Sequence, residues 1–457
     1  MSEYSKVMLN LLGGKKMLKK RIPILVLISG LVLSTFLGGC AQTQTSQTST
    51  TGQASTPPIE ITFVNSVTTE DATKQATLDV IKEFEKENPG IKVKNVPVPV
   101  SDELNQLTIM TMGGNAPDVA QMHGDNNIAL AAMGALAPLD GLLSQNFVSD
   151  LNKSSYDLGL YKGKHYAVPW INNPLGLIYN KKIMQQAGLD PNKPPKTMDE
   201  LTADMAIIKQ KLPNVVPLQL DTTVRTIGLE QEWAFMKSFG ATPVVLGKDG
   251  YQVQADKMKP FAEWLRDIVK KGYTLPGKKF GEFRPLGAQN RLAFGFDTPF
   301  FKGTVQSIDK SITDDKFNET WGVTTLPVGP DNTPYSAPDD NNLGIFAASK
   351  HKEAAAKFAE FFASSDYALK TFFAPLGFLP EVKSAATRMP KEFGDPVRKA
   401  FMDVVVPHIQ PLPWGPDYPK MATVIMAGVQ EIISTDKSIP DILNQMQTKL
   451  DGIVKGQ

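Results

Sequence analysis

The chain has 457 residues, with 48 Lys and Arg against 47 Asp and Glu, and 42% of it is hydrophobic. That is the composition of a globular protein, and the near balance of charge excludes the polybasic footprint of a nucleic-acid binder. A single cysteine, Cys40, excludes a disulfide framework.

Residues 22–37 form a nearly continuous apolar run directly behind Lys19, Lys20 and Arg21. The run is shorter than the ~20 residues of a membrane-spanning helix. A basic start, a short apolar middle and the small residues Gly38 and Gly39 predict a signal peptide over residues 1–39. Leu37-Gly38-Gly39-Cys40 resembles a bacterial lipobox. The resemblance implies lipidation at Cys40, a new N-terminus there, and residence on the extracytoplasmic face of the cell membrane. The absence of a second thiol suits that compartment, where free thiols oxidise and mispair. Met17 opens a signal start of its own, so translation from Met17 is expected. Six of the basic residues and one acidic residue precede residue 40, which leaves the remainder at a formal net charge of −4. Membrane contact is therefore expected through the lipid anchor alone. Residues 41–58 are rich in Thr, Ser and Gln and read, with Cys40, as a disordered linker over 40–58.

The folded part opens with a strand over residues 59–64 (IEITFV). Ala76, Val80, Ile81 and Phe84 then recur at helical spacing, and Asn88-Pro89-Gly90 stops that helix. Residues 91–100 return to alternation as a second strand. Strand, helix, strand predicts a parallel sheet with helices outside it. Further strands are predicted at 116–122, 175–180, 215–221, 291–297, 322–329 and 343–349. Ser349 is placed as the cap of a helix whose Ala354, Phe358 and Phe361 share a face, and Leu443, Met446, Leu450 and Ile453 mark a last amphipathic helix. The roughly 400 residues beyond the linker exceed what one core usually holds, so two domains are expected.

Five segments in order carry a resemblance: GGNAPDVAQM, YAVPWINNPLGLIYNKKIMQQAGL, PPKTMDEL, GVTTLPVGPDNTPYSAPDDNNLGIFAASKHKEAAAKFAEFFAS and LGFLPEVKSA. Their order and spacing resemble the extracellular solute-binding proteins of ABC importers, in the carbohydrate-binding branch that includes maltose-binding protein. The resemblance implies an α/β, two-lobed, periplasmic-binding-protein-like fold, each lobe a sheet flanked by helices, with a ligand cleft between them. The first lobe is expected from residues 59–177 and 327–378, the second from 178–326 and 379–457. The partners implied are a small-molecule ligand, expected to be a sugar, and membrane permease subunits. A monomer is expected, with no cofactor.

In open α/β sheets ligands bind beyond the carboxyl ends of strands. That rule singles out Asn65, His123, Asp125, Trp170, Asn173, Asp221, Phe300, the Asn341-Asn342 pair and Trp414. Carboxylates and amides can bind adjacent sugar hydroxyls, and aromatic rings stack on the apolar face of a pyranose. The resemblance carries Asp125, Asn173, Asp221, Phe300, Asn341 and Asn342 over as ligand positions, with Trp170 and Trp414 nearby. Asn126 stands where maltose-binding protein has arginine, and Asn173 where it has glutamate, so a less charged pocket is expected. The four histidines show no metal-ligand spacing. No G-x-S-x-G or H-E-x-x-H occurs, and GATPVVLGKD lacks the spacing and the Ser/Thr of a P-loop. The alternatives are a surface lipoprotein binding a non-sugar solute, or a glycoside hydrolase using Asp125 and Asp221 as its two carboxyls.

Overall fold

The computed structural model describes residues 57–241, 244–247, 250–412 and 417–454. Its elements in chain order begin with β1 (Ile59–Asn65), α1 (Asp71–Glu87), β2 (Ile91–Pro97), α2 (Glu103–Met112), β3 (Val119–His123), α3 (Gly124–Ala132), β4 (Val168–Asn172) and β5 (Gly176–Asn180). They continue with α4 (Met198–Lys211), β6 (Val216–Gln219), α5 (Thr226–Ser238), α6 (Ala255–Lys270), β7 (Leu292–Asp297), α7 (Phe300–Ile308) and β8 (Trp321–Thr324). The last are β9 (Asn341–Ile345), α8 (Lys352–Ser364), β10 (Leu379–Pro380), α9 (Tyr418–Ser434) and α10 (Ile439–Val454). Among the described residues no helix is long and apolar enough to cross a membrane.

Two sheets organise these elements. The first has six strands in the order β10-β4-β9-β3-β1-β2, with β1 parallel to β2 and β3, and β9 antiparallel to both of its neighbours. The second has four strands in the order β8-β5-β7-β6, with β7 parallel to β6 and antiparallel to β5. Each sheet is covered by helices. In the first lobe Phe358 of α8 packs edge-on against Phe63 of β1 and Phe84 of α1, both at 5.1 Å. In the second, Leu177 and Ile178 of β5 enter separate apolar clusters on opposite faces, the two-residue period of a strand covered on both sides. α6 buries Met258, Phe261, Ala262, Trp264, Leu265 and Ile268, the recurrence of a 3.6-residue turn.

The sequence placed the crossings between lobes slightly differently. The chain leaves the first sheet after Asn172 and enters the second at Gly176, so Leu177 belongs to the second lobe. Leu326 and Ala337 still pack in the second lobe's core, which moves the return to the stretch between Ala337 and Asn341. β10 hydrogen-bonds to the edge strand β4, and Val382, Ala385 and Phe393 join the first lobe's core. The final crossing thus falls between Phe393 and Val397, where Val397, Phe401 and Val405 enter a second-lobe cluster. Ser349 does not cap α8: the N-cap is His351, and the Ser349 hydroxyl bonds Asp118 at 2.5 Å.

Candidate functional site

The carboxyl ends of β1, β3 and β4 lie at one edge of the first sheet, beside the amino end of β9. In the second sheet the carboxyl ends of β6 and β7 lie beside the start of β5, because Asp297 pairs with Gly176. The Asn172–Gly176 crossing joins these two edges, so both sets of strand ends converge on one cleft.

On the first lobe, Asn173 sits at the crossing with 8% exposure, and its Oδ1 is buried without a hydrogen-bond partner among the described residues. An acceptor in that position is suited to a hydroxyl donor. Asn341 pairs in register with His123, and its Oδ1 accepts a bond of 2.8 Å from Gln121. Gln121 also accepts from the backbone N–H groups of Ser66 and Val67, at 3.0 and 3.2 Å, which locks the turn after β1. His123 Nε2 lies 3.4 Å from Asp339 Oδ1. Glu103 stands behind His123, accepting from its backbone N–H at 3.0 Å and from Asn126 Nδ2 at 2.6 Å. Asn126 is therefore committed to α2 and does not replace a cleft arginine. Asp125 lies in the first turn of α3, at the same edge.

On the second lobe, Phe300 opens α7 and is 36% exposed. Its ring stacks on Phe378 at 5.9 Å and carries the Arg284 guanidinium at 5.4 Å. Arg284 gives two bonds to Asp297, at 3.1 and 2.8 Å, and its guanidinium also covers the Phe280 ring at 5.0 Å. Burial works against this charge, but Asp297 outweighs it and holds Arg284 protonated above its ordinary range. The result is an aromatic surface with a fixed cation beside it, positioned by a buried carboxylate. The strand-end rule marks Asp297 at the end of RLAFGFD, but not Arg284, which stands 13 residues away in sequence.

Four expected ligand residues are placed otherwise. Trp170 is 0% exposed, stacked on Phe372 at 5.3 Å and edge-on to Phe362 at 4.7 Å, in the first lobe's core. It lies in the middle of β4, not after its end, and strand alternation turns its ring inward. Asp221 is fully buried and spends its oxygens within its own lobe, accepting from Thr223 N at 2.9 Å, Thr223 Oγ1 at 2.5 Å, Phe280 N at 3.1 Å and Arg225 Nη2. It braces the loop that holds Phe280, and so acts on the cleft at one remove. Asn65 is buried, with Oδ1 accepting from Thr68 N at 3.0 Å and Oγ1 at 2.7 Å, and Nδ2 donating to Asn95 at 2.6 Å. Asn342 is buried and donates to Asp340. Trp414 and Cys40 lie outside the described residues.

The geometry also supplies residues that the sequence reading missed. Glu230 of α5 brings a carboxylate oxygen from the second lobe to within 4.8 Å of ligating atoms of His123 and Asp339. Its signal was Glu230-Gln231-Glu232, three polar residues inside a helix otherwise buried, all 0% exposed. Gln231 accepts from Asp221 N at 2.9 Å and donates to Phe296 O, while burial, aided by Asp221, raises the Glu232 carboxyl well above the usual range.

The model of the bacterial extracellular solute-binding protein family matches residues 68–369. A Brucella abortus protein is 26% identical over 382 residues, covering 82% of this chain and 89% of its own length. A maltotriose-binding protein of Pyrococcus abyssi is 25% identical over 358 residues, covering 76% of this chain and 72% of its own. The crystal structure of a cyclic α-maltosyl-1,6-maltose binding protein from Arthrobacter globiformis is similar with a TM-score of 0.73 at 20% identity, covering 88% of this chain and 100% of that one. At that identity the likeness speaks for the fold, a two-lobed α/β architecture. The chain belongs to the bacterial extracellular solute-binding proteins.

Proposed function

We propose that the protein captures a sugar or oligosaccharide outside the cytoplasmic membrane, as a lipid-anchored monomer, and hands it to ABC permease subunits for import. The observation that carries the reading is Phe300, an aromatic ring left one-third exposed at the strand ends, with Arg284 beside it and the Asn173 amide at the crossing. A pyranose offers an apolar C–H face to such a ring and hydroxyls to such amides and guanidinium groups. The names of relatives support the same ligand class, since the Pyrococcus protein is a maltotriose-binding protein and a Streptomyces coelicolor relative binds diacetylchitobiose. Capture needs no turnover: ligand bridging the lobes favours the closed form by its differential contacts.

Thermal-shift screening against mono- and oligosaccharides tests the proposal, because a ligand at 100 times its Kd adds ~2.7 kcal/mol. A hit should be recovered chemically unchanged, and scattering should show a more compact protein in its presence. Absence of any carbohydrate hit, with a hit among amino acids or other small solutes, overturns the sugar assignment. Conversion of the hit into shorter sugars overturns the non-catalytic one.

A further inference from the structure

We infer that His123, Asp339 and Glu230 form a binding site for a divalent transition-metal ion of the zinc type, held between the two lobes. This goes beyond sugar capture and does not depend on which solute the cleft accepts. The fold brings the three together from distant parts of the chain. His123 ends β3, Asp339 lies two residues before Asn341, its register partner on β9, and Glu230 belongs to the first turns of α5 in the other lobe.

One ring nitrogen and two carboxylate oxygens lie within 4.8 Å of one another. The His123 Nε2 to Asp339 Oδ1 separation is 3.4 Å. That is long for an N–H···O bond, whose usual range is about 2.7–3.2 Å. It matches the ~3.4 Å edge expected between two ligands of a tetrahedral ion with bonds of ~2.1 Å. Glu230 already lies within 4.8 Å of both, so the approach that completes a tetrahedron of ~3.4 Å edges is at most about 1.4 Å, within reach of one side-chain torsion or a small closure of the lobes.

The local charge favours a cation. Two carboxylates converge here, and a third, Glu103, stands behind His123 on its backbone N–H. Arg284 lies within electrostatic reach of Asp339 but gives two hydrogen bonds to Asp297. Glu230 is fully buried, so its charge is set in a medium that screens poorly. An imidazole in the ligand set selects zinc-like ions over calcium or magnesium, which take oxygen donors. Three protein ligands leave a fourth position open to water or to a solute hydroxyl. Because the ligands come from both lobes, the ion favours the closed form and is thermodynamically coupled to any solute that does the same.

The test is titration of the purified full-length protein with Zn²⁺ by calorimetry, with Co²⁺ as a spectroscopic substitute and small-angle scattering as the shape readout. Expected are one ion per chain, a visible Co²⁺ spectrum of low-coordinate type, and compaction with metal alone. His123→Ala and Asp339→Asn should each weaken Zn²⁺ binding by about tenfold or more, since loss even of a partner that only supports a ligand costs about tenfold to a hundredfold. Glu230→Gln should keep residual binding but lose the compaction, and the distant variant His351→Ala should behave as wild type. Asp339 is partly exposed and its replacement keeps shape, so it still reads out should Glu230→Gln not fold. Absence of binding, or equal affinity in wild type, His123→Ala and Asp339→Asn, overturns the site. Unchanged compaction in a folded Glu230→Gln overturns its bridging of the lobes.

Discussion

Replacing Glu381 by glutamine should flatten the dependence of stability on pH. Glu381 follows β10, is almost fully buried, and accepts a bond of 2.9 Å from Asn172 Nδ2. Its Oε1 has no hydrogen-bond partner among the described residues. Burial pushes its carboxyl up from 4.5 to about 8, with the charge of Asp340 adding to the effect and the nearby polar side chains of Ser155, Asn172 and Asn152 opposing it. The folded protein thus keeps a proton that the unfolded chain releases above about pH 4.5. Wherever the folded state binds more protons, stability falls as pH rises. The cost is absent below about pH 4.5, grows through the interval, and is complete near pH 8. A difference of about 3.5 pH units at ~1.4 kcal/mol each is of the order of 4–5 kcal/mol for this one group. Urea unfolding at about pH 5, 6.5 and 8 measures it. The wild type should lose stability across that series, and Glu381→Gln should lose several kcal/mol less. Parallel curves for the two proteins would show that the carboxyl ionises freely in the fold, and would refute the reasoning.

Three further outcomes are expected. Trp170→Ala should destabilise the protein by ~3–5 kcal/mol, the cost of removing a large core ring. Urea unfolding within 1 kcal/mol of wild type would contradict the core placement. Phe300→Ala should weaken a sugar found by thermal shift by about 1–3 kcal/mol in calorimetry while leaving urea stability nearly unchanged, because the ring is partly wet; unaltered affinity would remove it from the cleft. Cys40→Ala should abolish incorporation of a fatty-acid analogue, and equal labelling of variant and wild type would rule out the lipobox at Leu37-Gly38-Gly39-Cys40.

The strands were the most legible part of the chain. β1, β2, β3, β5, β6 and β7 fall on runs that alternation and β-branched content had marked, because both faces of each sheet are covered and the apolar signal is strong. The exceptions have local causes. The run at residues 322–329 ends as a strand at Thr324, before Pro327, which has no N–H for a ladder. β9 begins at Asn341, two residues before its apolar stretch, because Asn341 and Asn342 pair with His123 and Met122. Those pairings are made by partners some 220 residues away, which no local pattern reports.

Site residues were harder, because side-chain direction turns on a single residue of register. The strand-end rule treats Trp170 as lying beyond its strand, whereas β4 runs on to Asn172, which makes Trp170 a core ring and leaves Asn173 at the crossing. Asp221 follows β6 at the strand-end edge, but a short loop carrying Thr223 and Arg225 folds back and uses its oxygens. The same distance blindness explains the charge of the cleft. Asn126 and Asn173 suggested a pocket poorer in charge, and as single positions both are neutral. The structure restores a guanidinium from the opposite lobe through Arg284, held by Asp297, and gathers His123, Asp339 and Glu230 across the cleft. Polarity lost at one sequence position has returned at another that shares only space with it. Charged groups fixed on each lobe and facing one cleft lose water if the lobes close, as proposed above, so a solute or ion that offsets that loss favours the closed form.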